Sequence, residues 1–289
     1  MSFRPNRGYA SLRHVLSGGH IARAVGAHDA LGAKLVEQAG FEAVWASSFE
    51  ISAARCLPDA SLLTMTEYLA AASHMQHACG IPVVADVDTG FGGTLNIAHM
   101  VQEYEAAGIT AVCIEDKVFP KMNSFVGAAH NLLDRDEFCR RLELAKQTQQ
   151  TDSFMVIART EAFISGLDAD EALDRCAGYV DAGADAVLVH SKEKTQHQIE
   201  EFLKRWSGRA PVVVVPTTYP AWSADEAAAA GVSLVIYANQ ALRASVTSIR
   251  ETLQMIYEHG SSVAVEDRIA PVKDIFDLQQ LREWMALDK

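Results

Sequence analysis

Four segments of the chain repeat one pattern of polar and apolar positions. Each contains the end of a polar helical stretch, an Ala-Gly stop and a short apolar run: "EQAGFEAVWASS", "EAAGITAVCIED", "DAGADAVLVHSK" and "AAAGVSLVIYAN". The four glycines suit the left-handed conformation that ends many helices. They are Gly40, Gly108, Gly183 and Gly231. The runs that follow them are continuously apolar, which is typical of strands buried on both faces of a parallel sheet.

Three further apolar runs have the same character: "IPVVADVD", "FMVIART" and "PVVVVPT". With a first strand near "IARAVGAHD", the chain of 289 residues has eight strands that alternate with helical patterns. This predicts an α/β fold, a (β/α)8 TIM-type barrel. No linker divides the chain, so we expect one barrel domain over 1–289, ending in a helical segment of about 265–289. A doubly wound sheet is the alternative, but no G-x-G-x-x-G motif follows the first strand.

The C-terminal ends of the predicted strands are uniformly polar. They carry Trp45-Ala46-Ser47-Ser48, Asp86, Asp88, Glu115-Asp116-Lys117, Arg159, Glu161, His190, Ser191, Thr217 and Asn239. Barrel enzymes place their chemistry at this end of the strands. The sequence therefore predicts one active site at a common mouth.

Charge and composition exclude several classes of partner. The net charge is −12 and no basic run is present, which argues against nucleic acid and anionic membranes as partners. No apolar run approaches the roughly 20 residues that span a bilayer, so we expect a soluble cytoplasmic protein. The five cysteines have no C-x-x-C spacing, which favours buried thiols over a zinc site or disulfides.

Carboxylates on two neighbouring strand ends predict a metal site. Asp86, Asp88 and Glu115 offer hard oxygen ligands, which suit Mg2+ that keeps several waters, with Mn2+ as an alternative. A different interpretation is that "DVDTG" only caps the following helix. The third carboxylate on the adjacent strand favours the metal.

Cationic groups are predicted on the other side of the mouth. Arg159 and His190 end the fifth and sixth strands, and Lys121 lies on the loop after the fourth. Together with a metal they fit a small, multiply charged anion such as a phosphorylated or carboxylated keto acid. The alternatives are that Arg159 only pairs with Glu161 and that His190 is a core histidine.

The loop "KVFPKMNSF" mixes proline, apolar residues and hydrogen-bond donors. Loops of this kind over barrel mouths often act as lids. We expect it to shield the site while Lys121 and Asn123 reach in; an ordinary surface loop is the alternative. Asp59, in "CLPDAS", has four open roles: nucleophile, general base, lid anchor or N-cap.

The run Glu115-Asp116-Lys117, followed after five residues by Asn123-Ser124, resembles the signature of the phosphoenolpyruvate mutases in the isocitrate lyase/phosphoenolpyruvate mutase superfamily. The resemblance covers nearly the whole chain. Its further blocks are "AGFEAVWASSFEISA", "PDAS", "ADVDTGFG", "VIARTEAFISG", "GADAVLVHSK" and "NQALRASV". Ser48 and Phe49 depart from it, because a glycine and an aliphatic residue are expected there.

The resemblance implies a role for each site residue. Asp86 is expected to ligate Mg2+ directly, and Asp88 and Glu115 largely through water. Residues expected to hold the pyruvyl part or otherwise bind substrate are Trp45, Ser47, Ser48, Phe49 and Ser124. The catalytic set consists of Arg159, His190 and Asn123 at the phosphoryl group, Lys121 supporting the closed lid, and Asp59 near the transferring phosphorus.

The implied reaction is the interconversion of phosphoenolpyruvate and phosphonopyruvate by an isomerase, the first step of phosphonate biosynthesis. Alternatives within the superfamily are phosphonopyruvate hydrolysis and C–C cleavage or decarboxylation of a 2-oxo or 2-hydroxy acid. A non-catalytic barrel is a further alternative. The resemblance also implies a homo-oligomer, a tetramer of two dimers that exchange their C-terminal helices. The amphipathic end of the chain agrees with this, since it has apolar residues at Ile275, Phe276, Leu278, Leu281, Trp284 and Met285.

Overall fold

The computed structural model describes residues 10–126 and 130–288. Its strands are β1 (Ala22–Ala27), β2 (Ala43–Ala46), β3 (Val83–Asp86), β4 (Ala111–Glu115), β5 (Met155–Thr160), β6 (Ala186–Val189), β7 (Val212–Val214) and β8 (Leu234–Tyr237). One helix, α1 (Leu12–Leu16), precedes β1. The helices between the strands, within the described ranges, are α2 (Ala30–Gln38), α3 (Ser48–Ala53), α4 (Met65–Ala78), α5 (Thr94–Ala106), α6 (Arg135–Thr148), α7 (Ala169–Asp181), α8 (His197–Trp206) and α9 (Ala224–Ala229).

The eight strands form a closed parallel barrel in chain order. β1 pairs with β2 through Ala24 and Ala43, and it closes the barrel by pairing with β8 through Ala22 and Leu234. All eight predicted strands are present, so the predicted (β/α)8 fold is confirmed. Helix exchange between subunits stays a prediction.

Alternate residues of each strand face the barrel interior, because successive side chains of a strand point to opposite sides. One buried apolar cluster contains residues from every strand and also Leu12 of α1. Small residues such as Ala24 and Ala43 leave room there for the large side chain of Trp45. The opposite faces of the strands pack in two separate clusters that include the surrounding helices.

Two kinds of glycine position the elements. The predicted helix stops are confirmed, since Gly40 and Gly108 have φ of 84° and Gly183 and Gly231 have φ of 100° and 102°. Gly26 in β1 has a different role. A Cβ there would lie 2.3 Å from the carbonyl oxygen of Ala238, so only glycine permits this close approach of β8.

The chain has two compact units, the first ending at Asn239 and the second beginning at Gln240. The second unit contains α10 (Gln240–His259), a short 3-10 turn at Glu266–Arg268, α11 (Val272–Leu278) and α12 (Leu281–Ala286). The expectation of one domain over 1–289, with a helical segment from about 265, stays a prediction. Among the described residues, none of the helices combines the length and apolarity needed to cross a membrane.

Candidate active site

The loop after β3 brings two buried carboxylates to the mouth. Asp86 is the last residue of β3, and its Oδ2 accepts a hydrogen bond of 2.9 Å from Ser48 Oγ. Asp88 follows in the left-handed conformation, with φ of 50°. Within the described residues neither Asp88 oxygen has a hydrogen-bond partner. Burial raises the pKa of Asp88 to about 7, because a charged carboxylate is poorly solvated there.

Lys121 of the lid lies between carboxylates. Its Nζ is 2.7 Å from Asp59 Oδ1 and 3.0 Å from Asp88 Oδ1, ion-pair distances without hydrogen-bond alignment. Burial lowers the pKa of this lysine, but the Asp88 and Asp59 carboxylates outweigh burial and hold the pKa well above its ordinary value. The ammonium therefore stays charged and partly neutralises this side of the mouth.

Asp59 ties the lid to the loop that follows α3. Its Oδ2 accepts from Asn123 Nδ2 at 2.7 Å, and its carbonyl oxygen accepts from Asn123 N at 3.1 Å. Lys121 N donates to Ser61 Oγ at 3.1 Å. Of the four roles left open for Asp59, lid anchor is the one that these contacts support.

The lid also has a fixed stem. Lys117 and Leu132 form an isolated antiparallel bridge, and Val118 N donates to the Asn131 carbonyl at 2.9 Å. Residues 127–129, between the lid and this return segment, lie outside the described residues. The two ends of the loop are therefore paired with each other beside the mouth, and its role as a lid stays a prediction.

Glu161 connects the lid with the cationic side of the mouth. Its Oε1 accepts from Arg159 Nε at 2.6 Å and lies 2.8 Å from His190 Nδ1. Its Oε2 accepts from Ser124 Oγ at 2.6 Å and lies 3.0 Å from Lys117 Nζ. Burial raises the pKa of Glu161, but Arg159 and His190 outweigh burial and hold the pKa well below its usual value.

His190 and Arg159 lie side by side at this carboxylate. His190 Nδ1 is 2.8 Å from both Arg159 Nη2 and Glu161 Oε1. The guanidinium only donates and the carboxylate only accepts, so the ring nitrogen can hydrogen-bond just one of them. Burial lowers the pKa of His190 below 6.5, which makes the imidazole neutral at neutral pH. The pairing of Arg159 with Glu161, offered as an alternative to a substrate contact, is present in the structure.

Asp116 has a supporting position below the mouth. It is fully buried, and its carboxylate accepts from Thr160 Oγ1 at 3.0 Å, Glu161 N at 2.9 Å and Tyr179 Oη at 2.7 Å. Arg175 lies 3.5 Å away. These bonds fix the backbone at the end of β5, and with it the position of Glu161.

The turn between β2 and α3 carries the predicted pyruvyl-binding residues. Ser47 caps α3 by accepting from Glu50 N at 3.3 Å. Phe49 is 39% exposed on α3, whereas Trp45 is buried in the cluster inside the barrel. The backbone of this turn lies next to Asp86, as the bond from Ser48 shows. Substrate contacts of these residues stay predictions.

The model of the phosphoenolpyruvate phosphomutase family matches residues 12–257 of the chain. The chain belongs to the phosphoenolpyruvate phosphomutase family. The crystal structure of a phosphoenolpyruvate phosphomutase from Streptomyces platensis subsp. rosaceus superimposes with a TM-score of 0.95, at 50% identity, over 97% of this chain and 98% of that one. The predicted family and its enzyme class, an isomerase, are confirmed at this level.

A second activity occurs among similarly related proteins of the phosphomutase family. A phosphonopyruvate hydrolase from Variovorax sp. (strain Pal2) is 42% identical, covering 96% of this chain and 97% of its own length. A phosphonopyruvate hydrolase solved in complex with oxalate and Mg2+ superimposes with a TM-score of 0.91, at 41% identity over 96% of both chains. Family membership thus leaves two reactions to distinguish.

The donor set of this phosphomutase-family site fits a divalent cation. Five carboxylates face three lysine and arginine side chains: Asp59, Asp86, Asp88, Glu115 and Glu161 against Lys117, Lys121 and Arg159. Buried oxygens of Asp88 and Glu115 Oε1 also lack hydrogen-bond partners among the described residues. Among the described residues, no group of three or more His, Cys, Asp or Glu side chains is close enough together to hold a metal ion directly. One direct ligand with water-mediated partners fits this arrangement.

Sequence reasoning placed Glu161, Lys117 and Asp116 at the mouth but gave none of them a site role. Their partners lie 35 or more residues away in several cases, such as Ser124 and Glu161 at a separation of 37. The available signal was a charged residue just after the end of a buried strand, because a buried charge needs a partner.

Proposed function

We propose that this protein is a phosphoenolpyruvate mutase that depends on Mg2+. In its reaction the bond between phosphorus and the enol oxygen breaks, the electron pair stays on that oxygen, and C3 of the resulting enolate bonds to phosphorus. The observation that carries this proposal is the set of contacts that the loop after β4 makes inside the mouth. Lys121 and Asn123 both contact Asp59, and the mouth side chains are buried, which disfavours capture of the phosphoryl group by water.

The metal would be held on the β3–β4 side. Asp86 would bind it directly, with Asp88 and Glu115 acting through water. When bound, Mg2+ supplies positive charge that stabilises an enolate oxygen. Mn2+, which accepts the same oxygen ligands, would substitute for it.

The pyruvyl part would lie against the turn that opens α3. Ser47 and the backbone of Ser48 and Phe49 would hold the carboxylate end of the substrate, above the buried Trp45. Ser124 would line the lid side. A helix N-terminus favours a carboxylate because its backbone N–H groups point outward.

The phosphoryl group would move on the opposite side, between the lid and β5–β6. Arg159 and His190 would contact its oxygens, and Asn123 would contribute a neutral donor. Arg159 keeps its charge beside Glu161, since the carboxylates of Glu161 and Glu115 outweigh burial and hold its pKa well above the ordinary value. Asp59 would lie near the transferring phosphorus, held in place by Lys121 and Asn123.

Phosphonopyruvate hydrolysis is the second candidate. The 42% identity to the hydrolase from Variovorax, over nearly the whole of both chains, favours it. The two reactions share the cleavage of phosphorus from its partner atom and differ in whether water captures the phosphoryl group. Cleavage or decarboxylation of a C–C bond has weaker support, because the lid pattern is that of the mutases.

The test is phosphorus NMR of phosphonopyruvate incubated with the protein and Mg2+. We expect phosphoenolpyruvate as the main product, with little inorganic phosphate. Phosphate and pyruvate as main products would replace the mutase with the hydrolase. A parallel sample contains excess chelator, and turnover that persists in that sample would reject the metal assignment.

The proposal extends to cellular context. Formation of the P–C bond is uphill, so a following reaction must consume phosphonopyruvate, and the mutase would catalyse the first step of phosphonate biosynthesis. We place it in the cytoplasm as a homotetramer of two dimers with exchanged helices.

A further inference from the structure

Ser48 occupies a distinctive position between two parts of the site. It is the first residue of α3 and is 1% exposed. Its Oγ donates a hydrogen bond of 2.9 Å to Asp86 Oδ2. The neighbouring Ser47 side chain already caps the helix, so the Ser48 hydroxyl is not needed for capping.

A second contact fixes the direction of this hydroxyl. Lys121 Nζ donates to Ser48 Oγ at 3.5 Å, a long hydrogen bond. An ammonium only donates, whereas a serine hydroxyl has one proton and two acceptor lone pairs. The lysine therefore takes a lone pair, and the single proton of Ser48 is committed to Asp86.

The hydrogen bond leaves the two oxygens of Asp86 unequal. Oδ2 is held by the hydroxyl, whereas Oδ1 accepts a long hydrogen bond of 3.3 Å from Asp88 N. A carboxylate fixed at one oxygen presents the other in a defined direction. Asp86 is also the residue that the proposed function assigns to direct metal binding.

We propose that Ser48 is a positioning residue that orients Asp86 for Mg2+, an inference that rests on the proposed function. The hydroxyl links the metal ligand to the turn that opens α3 and to the lid lysine. Removing a group that hydrogen-bonds to a metal ligand typically weakens metal affinity or activity by 10- to 100-fold. Loss of the Ser48 hydroxyl should therefore act first on the metal.

The experiment is titration calorimetry of MgCl2 into the full-length protein without substrate. Ser48→Ala should raise the Kd for Mg2+ by about tenfold or more. Ser48→Cys, which keeps the size but has a weak donor, should shift the Kd in the same direction and serves if the alanine variant does not fold. The loss of turnover in the Ser48 variants, relative to the wild type, should be smaller at saturating Mg2+ than at limiting Mg2+.

Ser52→Ala is the matched control. Ser52 lies on the same helix with 1% exposure, and its Oγ hydrogen-bonds to Tyr68 Oη at 2.9 Å rather than to Asp86. Its Kd for Mg2+ should equal that of the wild type. If the wild type and both Ser48 variants bind Mg2+ with equal affinity, the proposed role of Ser48 is overturned, whereas the metal assignment still stands. A wild type without Mg2+ affinity would overturn this role and the metal assignment together.

Discussion

At the residue scale, Glu161 organises the cationic side of the mouth. One oxygen contacts Arg159 and His190, and the other contacts Ser124 and Lys117. The ion pairs with Arg159 and Lys117 favour the charged form of the buried carboxylate, so it remains ionised. Glu161 therefore sets where the neighbouring donors point without itself needing to touch substrate.

Glu161→Gln should lower kcat/KM by about 100-fold, because misplacing catalytic groups by about 1 Å costs that much. The amide keeps the shape but cannot accept from all four partners. Steady-state kinetics with phosphonopyruvate measures the effect. Glu171→Gln is the control, since Glu171 pairs with Arg175 at 2.7 Å and is 40% exposed. Equal losses in the two variants would contradict a positioning role for Glu161.

Glu161→Gln should also change how the free energy of unfolding depends on pH, which a purely steric defect would not do. The pKa of Glu161 is lower in the folded protein than its ordinary value of 4.5. Its stabilising contribution is thus fully present above that value and is lost as pH falls through the folded pKa. Urea unfolding should show that the stability difference between wild type and Glu161→Gln narrows in acid. A difference that stays constant with pH would contradict the charge-based account.

The sequence predicted the positions of the site residues better than their partners. Barrel topology alone places Asp86, Glu115 and His190 at one mouth, because all parallel strands end there. The bond between Asn123 and Asp59 joins residues 64 apart, and no periodicity encodes it. Ion pairs of buried charges depend on the three-dimensional path of the lid, which local patterns do not specify.

At the element scale, the lid is fixed at two places. Its stem is the bridge between Lys117 and Leu132, and its tip contacts Asp59 through Asn123. Phe119, Met122 and Phe125 remain more than 40% exposed on it. The lid is therefore held by a few polar contacts rather than by deep apolar burial, which suits a segment that must open.

Asn123→Ala should reduce turnover by on the order of 100-fold, because it removes the donor that we propose for the phosphoryl oxygens. It also releases the lid tip from Asp59, so the proportion of inorganic phosphate among the products should rise. Phosphorus NMR measures both. Asn131→Ala, an exposed position on the return segment, is the control and should behave as wild type. An unchanged phosphate fraction in Asn123→Ala would argue that the lid does not exclude water.

The elements themselves were largely predictable. Apolar runs and Ala-Gly stops identified every strand, because burial on both faces leaves a continuous signature. The short helix α3 was not predicted, since six residues are too few to display a helical period. The start of the second unit at Gln240 also had no compositional marker.

At the scale of the whole molecule, the second unit has a long uncovered helix. None of the residues of α10 is buried. Val246, Ile249, Leu253 and Tyr257 are exposed at helical spacing, between 43% and 87%. An exposed apolar stripe of this length is typical of an interface, and it supports the proposed oligomer.

Leu253→Lys should shift the protein toward smaller species, because a charge in an apolar interface is desolvated without a partner. Light scattering after size exclusion at micromolar concentration measures the mass. Ser248→Lys places the same charge on the opposite side of α10 and should leave the mass unchanged. A wild type that is a stable monomer would refute the oligomer, and an unchanged mass in Leu253→Lys would exclude this stripe as the interface.

The position of Lys121 between Asp59 and Asp88 has a consequence for the order of events in a catalytic cycle. Opening the lid withdraws a positive charge, so the open mouth has the greater excess of negative charge. Such a cavity attracts a divalent cation and repels a polyanion. We therefore expect compulsory-order kinetics, with the metal entering before the anionic substrate. Initial rates over a grid of both concentrations would reveal that sequence, and a random order would mean that lid opening leaves Lys121 in place.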